Sequence, residues 1–245
     1  MFLALLATFL CWGSFLNVLA LRLLHNQSLI KRSSCPHCQQ QLAWHHLIPL
    51  ISWCILKGKC AFCKHLISWT YPAMELLTAG ILTMLWYTAS SISFPAYFIF
   101  CSALIITIRT DLEYLLILSA TTVGMIPIGL IASYCNLLPI SITQSILGAI
   151  IGFGMLWVTR TVFWHIRKQE GLGWGDVELL GAIGSFLGPS GTLTTLLAGS
   201  ISGIIIAILL LVTKRAHRQL QIPFGALLAF AAIGYILGSH WILSL

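Results

Sequence analysis

Four of the chain's eight cysteines stand in two pairs, Cys35-Pro36-His37-Cys38 and Cys60-Ala61-Phe62-Cys63. A Cys-x-x-Cys knuckle bends the backbone so that both sulfurs face one centre, and two knuckles about 20 residues apart complete a tetrahedron of thiolates. The spacing points to a structural zinc, or a similar thiophilic ion, held by Cys35, Cys38, Cys60 and Cys63. A closed four-thiolate site has no position open to water, so a structural and not a catalytic metal is expected. Reduced free thiols are the alternative. His45 and His46 read as loop residues, because the cysteines already fill four positions. Cys11, Cys54, Cys101 and Cys135 lie in apolar stretches without partners at ligand spacing and read as small buried hydrophobes.

The second chemistry-bearing pair is acidic. Asp111 and Asp176 are the only aspartates in the sequence. Asp111 stands in Arg109-Thr110-Asp111-Leu112-Glu113-Tyr114, and Asp176 closes Gly171-Leu172-Gly173-Trp174-Gly175-Asp176. Two carboxylates brought together share a proton. Such a pair can hydrolyse an amide without a covalent intermediate: the ionised member takes a proton from water while the protonated member polarises the carbonyl. Glycines at 173 and 175 let backbone and an extended substrate come close to Asp176. The structural alternative has Asp111 paired with Arg109 and Asp176 capping its helix.

The elements that carry these residues are membrane helices. Hydrophobic residues make up 58% of the 245 and charged residues 8%, where a soluble domain carries roughly 25% charged. Mean hydropathy is +0.95. Runs of about 20 apolar residues mark spans, here Phe2–Leu21, Tyr71–Tyr87, Phe94–Ile108, Leu115–Ser133, Ile142–Phe163, a short one at Val177–Leu187, Thr192–Val212 and Pro223–Ile242. The short sixth run contains glycine and is read as tilted, kinked or merged with its neighbour. The expected fold is all-α: a polytopic membrane protein of about eight transmembrane helices with a small cytoplasmic four-Cys insertion. The expected divisions are 1–23 as the first transmembrane helix, 24–69 as the cytoplasmic four-Cys loop and 70–245 as the membrane domain.

Basic residues concentrate in cytoplasmic loops. With the N-terminus outside, eight crossings put Arg22, Lys31, Arg32, Lys57, Lys59 and Lys64 in the first inside loop and Arg109 in the second. Arg160, Arg167 and Lys168 fall in the third, and Lys214, Arg215 and Arg218 in the fourth, which accounts for all 13 Lys and Arg. Asp111 and Asp176 then lie at similar depth on the cytoplasmic side. A reducing cytosol also disfavours disulfides for the paired cysteines. The net charge of +7 suits a face against anionic lipid and needs no nucleic acid.

Together these residues resemble the type IV prepilin peptidases, a family of the Gly-x-Gly-Asp intramembrane aspartyl proteases. The likeness runs from Gly13-Ser14-Phe15-Leu16-Asn17-Val18 through the two Cys pairs with Gly58-Lys59-Cys60, then Tyr71-Pro72-Ala73-Met74-Glu75-Leu76. Asp111, the Gly173–Asp176 motif with Leu179-Leu180, and Pro223-Phe224-Gly225 complete it. The resemblance implies cleavage of the short basic leader of type IV prepilins or type II secretion pseudopilins. The cut falls after a glycine, usually before phenylalanine, on the cytoplasmic side of the inner membrane, with Asp111 and Asp176 as the catalytic pair. It also implies N-methylation of the new terminus with S-adenosylmethionine, an activity associated with the four-cysteine loop. The spacing itself marks no methyl-donor site.

The bland readings of the matched motifs are packing ones. Gly13 and Asn17, four apart on one helical face, suit close packing with an interhelical hydrogen bond. Tyr71-Pro72 and Pro223 read as helix starts, and Glu75 as a polar contact to substrate or to the loop. Two positions depart from the family pattern. Leu118 and Ser119 replace a Pro-Asp pair, which removes an expected helix break beside Asp111. Glu178 replaces a common lysine, and this predicts an activity optimum shifted from that of a lysine-bearing relative; identical pH–rate profiles for wild type and Glu178→Lys would refute it. Two other classes compete: a proton-relaying transporter, which should show inverted repeats and acids near mid-bilayer, and a non-catalytic zinc-bearing scaffold of a pilus or secretion machine.

Overall fold

A computed structural model describes residues 1–30, 32–169, 171–213 and 222–243. Lys31, Lys214, Arg215 and Arg218, used above for orientation, lie outside the described residues. Every long element is a helix: α1 (Phe2–Leu24), α2 (Ile51–Ile55), α3 (Thr70–Thr88), α4 (Phe94–Tyr114), α5 (Met125–Tyr134), α6 (Ile142–Arg167), α7 (Trp174–Val212) and α8 (Phe224–Leu243). Among the described residues the only β pairing is two isolated bridges. The chain forms two compact units, Met1–Met84 and Leu85–Leu245.

By length and composition α1, α4, α6 and α7 can each cross a membrane, and Ser119–Tyr134 and Phe224–Ser239 are shorter apolar helical stretches. Along α7, Ile201, Ile204, Ile205 and Ile208 are all exposed. A continuous apolar surface of this kind belongs against lipid.

The 39 residues of α7 are two helices. Gly188 breaks the run with φ 68° and ψ −176°, followed by Pro189, a backbone state that glycine adopts without penalty. A Cβ placed on Gly152 of α6 would lie 2.9 Å from the Leu180 carbonyl carbon and 3.1 Å from Thr192 Cγ2. In a straight helix twelve residues span about 18 Å, so the chain doubles back at Gly188–Pro189. The sixth and seventh apolar runs are thus separate segments, 174–187 and 189–212, both seated on the glycine face of α6. A methyl on Gly148 would likewise fall 2.8 Å from the Gly188 carbonyl carbon. Small residues let the backbones meet.

The fourth expected span needs correction. Leu115 closes α4 in the left-handed region (φ 55°, ψ 35°), the chain runs without regular structure through Leu118, and a 3₁₀ turn occupies Ser119–Thr121. Only Met125–Tyr134, ten residues, is α-helical. Hydropathy reports an apolar environment, not the backbone that occupies it. The helix break beside Asp111 is therefore present although Leu118 and Ser119 carry no proline. The left-handed cap at Leu115, with its N–H bonded to the Asp111 carbonyl at 3.0 Å, does that work.

In the second unit α4 is the central helix. Every residue from Phe100 to Asp111 is buried, as befits a helix surrounded on all sides. It packs against α8, while α7 contacts α5, α6 and α8. Phe100 stacks on Phe186 at a 4.0 Å ring separation.

Candidate functional site

The two knuckles of the first unit are copies of one small fold. Cys35 N–H donates to the Gln40 carbonyl at 3.0 Å, and Cys60 N–H to the His65 carbonyl at 2.8 Å. Gln39 (φ 58°) and Lys64 (φ 59°) make the matching left-handed turns, and the bridges Ser34–Gln41 and Lys59–Leu66 close each one. The sulfurs of Cys35, Cys38, Cys60 and Cys63 lie within 4.8 Å of one another, and together they can hold a metal ion. Backbone N–H groups of Cys63 and Phe62 lower the Cys60 thiol, while burial and the neighbouring thiols raise Cys63, so Cys60 is the member of this pair that more readily becomes the thiolate a metal requires. His45 and His46 lie on a 3₁₀ turn, Trp44–Leu47, outside the four-sulfur cluster. His37 and His65 stack across the knuckles at 4.3 Å, a pairing that no spacing rule signalled.

The remaining cysteines divide. Cys101 is buried, but Cys11, Cys54 and Cys135 are exposed, which corrects the expectation that all four are buried. An apolar neighbourhood in the sequence marks a lipid-facing surface as readily as a packed core.

The matched motifs of the first unit hold α1, α3 and the loop together. A Cβ on Gly13 would fall 2.9 Å from Thr78 Cβ, and Asn17 Nδ2 donates to the Tyr71 carbonyl at 3.2 Å. This is the close packing with an interhelical bond that the sequence predicts. Glu75 Oε2 accepts the Leu50 N–H at 2.9 Å, a contact to the loop that turns its carboxylate to a structural use.

In the second unit Asp111 and Asp176 converge. Asp111 sits in the last turn of α4 and accepts the Ala226 N–H at 2.7 Å through Oδ2, with the Gly225 N–H beside it. Asp176 is the third residue of α7, and the N–H of its N-cap, Gly173, faces its carboxylate. Each acid therefore lies at a helix N-terminus, where free N–H groups and the helix dipole favour negative charge. Gly225 stands between them. A Cβ there would be 3.1 Å from Asp111 Oδ2 and 3.2 Å from Asp176 Oδ1, so both carboxylates touch the volume of a single methyl group. Both are almost fully buried, at 5% and 8% exposure.

The structural alternatives for these acids fare differently. Arg109 forms an ion pair with Glu113, one turn along α4. The N-cap of α7 is Gly173, not Asp176. The approach to that cap is held by Arg160, whose Nε donates to the Leu172 carbonyl at 3.1 Å and whose guanidinium lies 5.1 Å from the Trp174 ring.

Three further residues of this region escaped the sequence reading. Thr122 donates to Glu178 Oε2 at 2.9 Å, so Glu178, two residues past Asp176, bonds to the turn after α4. Ala226 supplies its N–H to Asp111, and Ile117 packs on both Gly175 and Gly225. Pro223-Phe224-Gly225, read only as a helix start, carried the available signal for the second of these. Ile117 in an apolar run gave none.

Two family models match the chain. The bacterial peptidase A24 N-terminal domain family matches residues 8–89, and the type IV leader peptidase family matches residues 98–208. The chain is 35% identical over 213 residues to the type 4 prepilin-like proteins leader peptide-processing enzyme of Escherichia coli O78:H11, covering 84% of this chain and 76% of that protein. It is 33% identical to the prepilin leader peptidase/N-methyltransferase of Stutzerimonas stutzeri (82% and 70% covered). To that of Aeromonas hydrophila it is 34% identical (83% and 70% covered). No solved structure matches. On these matches the chain belongs to the type IV leader peptidase family.

Proposed function

We propose that this protein cleaves the basic leader from type IV prepilins or type II secretion pseudopilins, with Asp111 and Asp176 as its catalytic dyad. The observation that carries the reading is the convergence of the two carboxylates on either side of Gly225. The ionised carboxylate takes a proton from water as that water attacks the scissile carbonyl. The protonated partner donates a hydrogen bond to the carbonyl oxygen, and on collapse the proton taken from water passes to the leaving amine, so the dyad ends with one proton as it began. N–H groups of Ala226 and Gly173 hold the acids in place during both steps. In this reading the cut follows a glycine and lies on the cytoplasmic side of the inner membrane, where the count of basic residues in the sequence expects both aspartates.

The reading extends to the cysteine loop and to a second activity. Tetrahedral zinc with Zn–S of about 2.3 Å sets its sulfurs about 3.8 Å apart, and Cys35 Sγ and Cys63 Sγ lie 3.9 Å apart. The four thiols fit a structural zinc, which would fix the fold of a loop too small for a core of its own. N-methylation of the new terminus is proposed from the names of the relatives. Among the described residues no strand leads into a glycine-rich turn of the kind that cradles a nucleotide, so no residue is assigned to S-adenosylmethionine.

The test is incubation of the purified protein with a prepilin, followed by mass analysis. The wild type should yield the shortened pilin, with ~14 Da added where the donor is supplied and a methyl group replaces a proton. Asp111→Asn and Asp176→Asn should each lower cleavage by about 10²–10⁴-fold, the usual contribution of a positioned acid or base. A zinc-bearing scaffold would tolerate both changes.

A further inference from the structure

Ile117 belongs to no motif, yet it is the side chain nearest to the glycines that open both α7 and α8. A Cβ on Gly175 would fall 2.7 Å from Ile117 Cβ, and a Cβ on Gly225 would overlap Ile117 Cδ1. That same point on Gly225 is 3.1 Å and 3.2 Å from the two aspartate oxygens. The space beside the dyad is thus bounded by glycine backbone on one side and by the Ile117 side chain on the other.

We propose that Ile117 is the wall that restricts the residue before the scissile bond to glycine. The inference rests on the dyad reading above and concerns which substrates that dyad accepts. Hydrolysis puts the scissile carbonyl carbon against both carboxylates, and the preceding Cα is only about 1.5 Å from that carbon. Any side chain on that Cα must share the space lining the dyad. The point beside Gly225 that both carboxylates touch also lies against Ile117, so a methyl that reaches that side of the dyad meets the Ile117 side chain. A glycine Cα, which carries only hydrogens, makes the least demand on that space.

The wall cannot easily step aside. Ile117 is β-branched and stiff at χ1, so its Cβ stays against Gly175 and only Cδ1 is left to turn. Its segment is fixed at one end by the left-handed cap at Leu115 and at the other by the Thr122–Glu178 hydrogen bond. Rejection of one methyl group in a tight apolar contact is worth about 10–200-fold, which is enough to give a strong preference.

The test uses the purified full chain and one prepilin carrying Gly, Ala or Ser before the cleaved bond. The Gly-to-Ala ratio of kcat/KM is read within each variant, so a general loss of activity cancels. Ile117→Ala should narrow that ratio by about tenfold or more, Ile117→Val by less, and Leu116→Ala should leave it unchanged. A ratio unchanged in both Ile117 variants overturns the proposal. So does complete loss of cleavage in Ile117→Val, since that variant removes little more than the methyl in question. Persistent cleavage by Asp111→Asn would instead bring down the dyad reading, whatever the Ile117 variants do.

Discussion

The Ala226 N–H donates to Asp111 Oδ2 at 2.7 Å, tying the last turn of α4 to the first turn of α8. That bond joins residues 115 positions apart and makes the opening of α8 part of the acid site. It also explains why Gly225, the neighbour of Ala226, has no room for a side chain.

Gly225→Ala should therefore be far more damaging than a glycine-to-alanine change usually is. The new methyl would lie against both carboxylates and overlap Ile117. Overpacking of this kind costs about 1–3 kcal/mol, and displaced acids lose their alignment. Cleavage should fall about a hundredfold or more, since a misplacement of about 1 Å can have that effect. Gly238→Ala in the same helix is the control. A Cβ there meets nothing within 4 Å, and alanine gains up to about 1 kcal/mol of helix propensity. Equal activity of the two variants, compared at matched membrane levels, would contradict the packing seen at Gly225.

What the sequence disclosed follows the range of the interactions concerned. The knuckles were legible because two cysteines and one turn fall within four residues, and their geometry is local. The count of basic residues leads to the expectation that Asp111 and Asp176 lie at one depth, and their carboxylates do meet beside Gly225. The role of Gly225 was not legible, because its constraint comes from Asp111 and Asp176, both distant in the chain. Nor was the shortness of α5, since Leu115–Val123 is as apolar as a helix yet follows a left-handed cap and a 3₁₀ turn.

The crossing of α6 with the α7 hairpin should be equally intolerant of bulk. A Cβ on Gly184 would lie 2.8 Å from the Ala149 nitrogen, and one on Gly148 would lie 2.8 Å from the Gly188 backbone. Backbone cannot swing away as a side chain can. Gly148→Ala and Gly184→Ala should each lose about 1–3 kcal/mol, seen as a lower Tm in detergent. Gly154→Ala, on the same helix with nothing within 4 Å, should melt like the wild type. Indistinguishable melting of all three variants would mean that α6 and α7 do not cross at these glycines.

Loss of the metal should be separable from loss of cleavage. Cys63→Ser removes one of four sulfurs that lie within 4.8 Å of one another, while the partners of the dyad, Gly173, Gly225 and Ala226, belong to the other compact unit. Bound zinc, measured by elemental analysis, should fall from about one ion per chain to near zero. Residues 33–67 should become protease-sensitive, because a small metal domain folds with its ion. Leader cleavage should persist. A variant that keeps stoichiometric zinc would show that the four thiols are not its ligands.

The bond between Thr122 and Glu178 supports the last prediction. Thr122 is fully buried, Glu178 is nearly so, and they meet at 2.9 Å. Thr122→Val keeps the shape of the side chain but strands a buried carboxylate, at a cost of about 1–3 kcal/mol. Glu178→Gln retains an acceptor for the hydroxyl and should cost less. Replacing both partners by apolar residues, Thr122→Val with Glu178→Leu, removes the stranded group and should recover part of the loss. In a double-mutant cycle of Tm-derived stabilities the coupling should reach about 0.5–3 kcal/mol, the range for residues in contact. Because Thr122 anchors the segment that carries Ile117, Thr122→Val should also relax the preference for glycine before the cut. Additive losses in the cycle, with glycine preference intact, would mean that this bond neither stabilises the turn nor holds the wall.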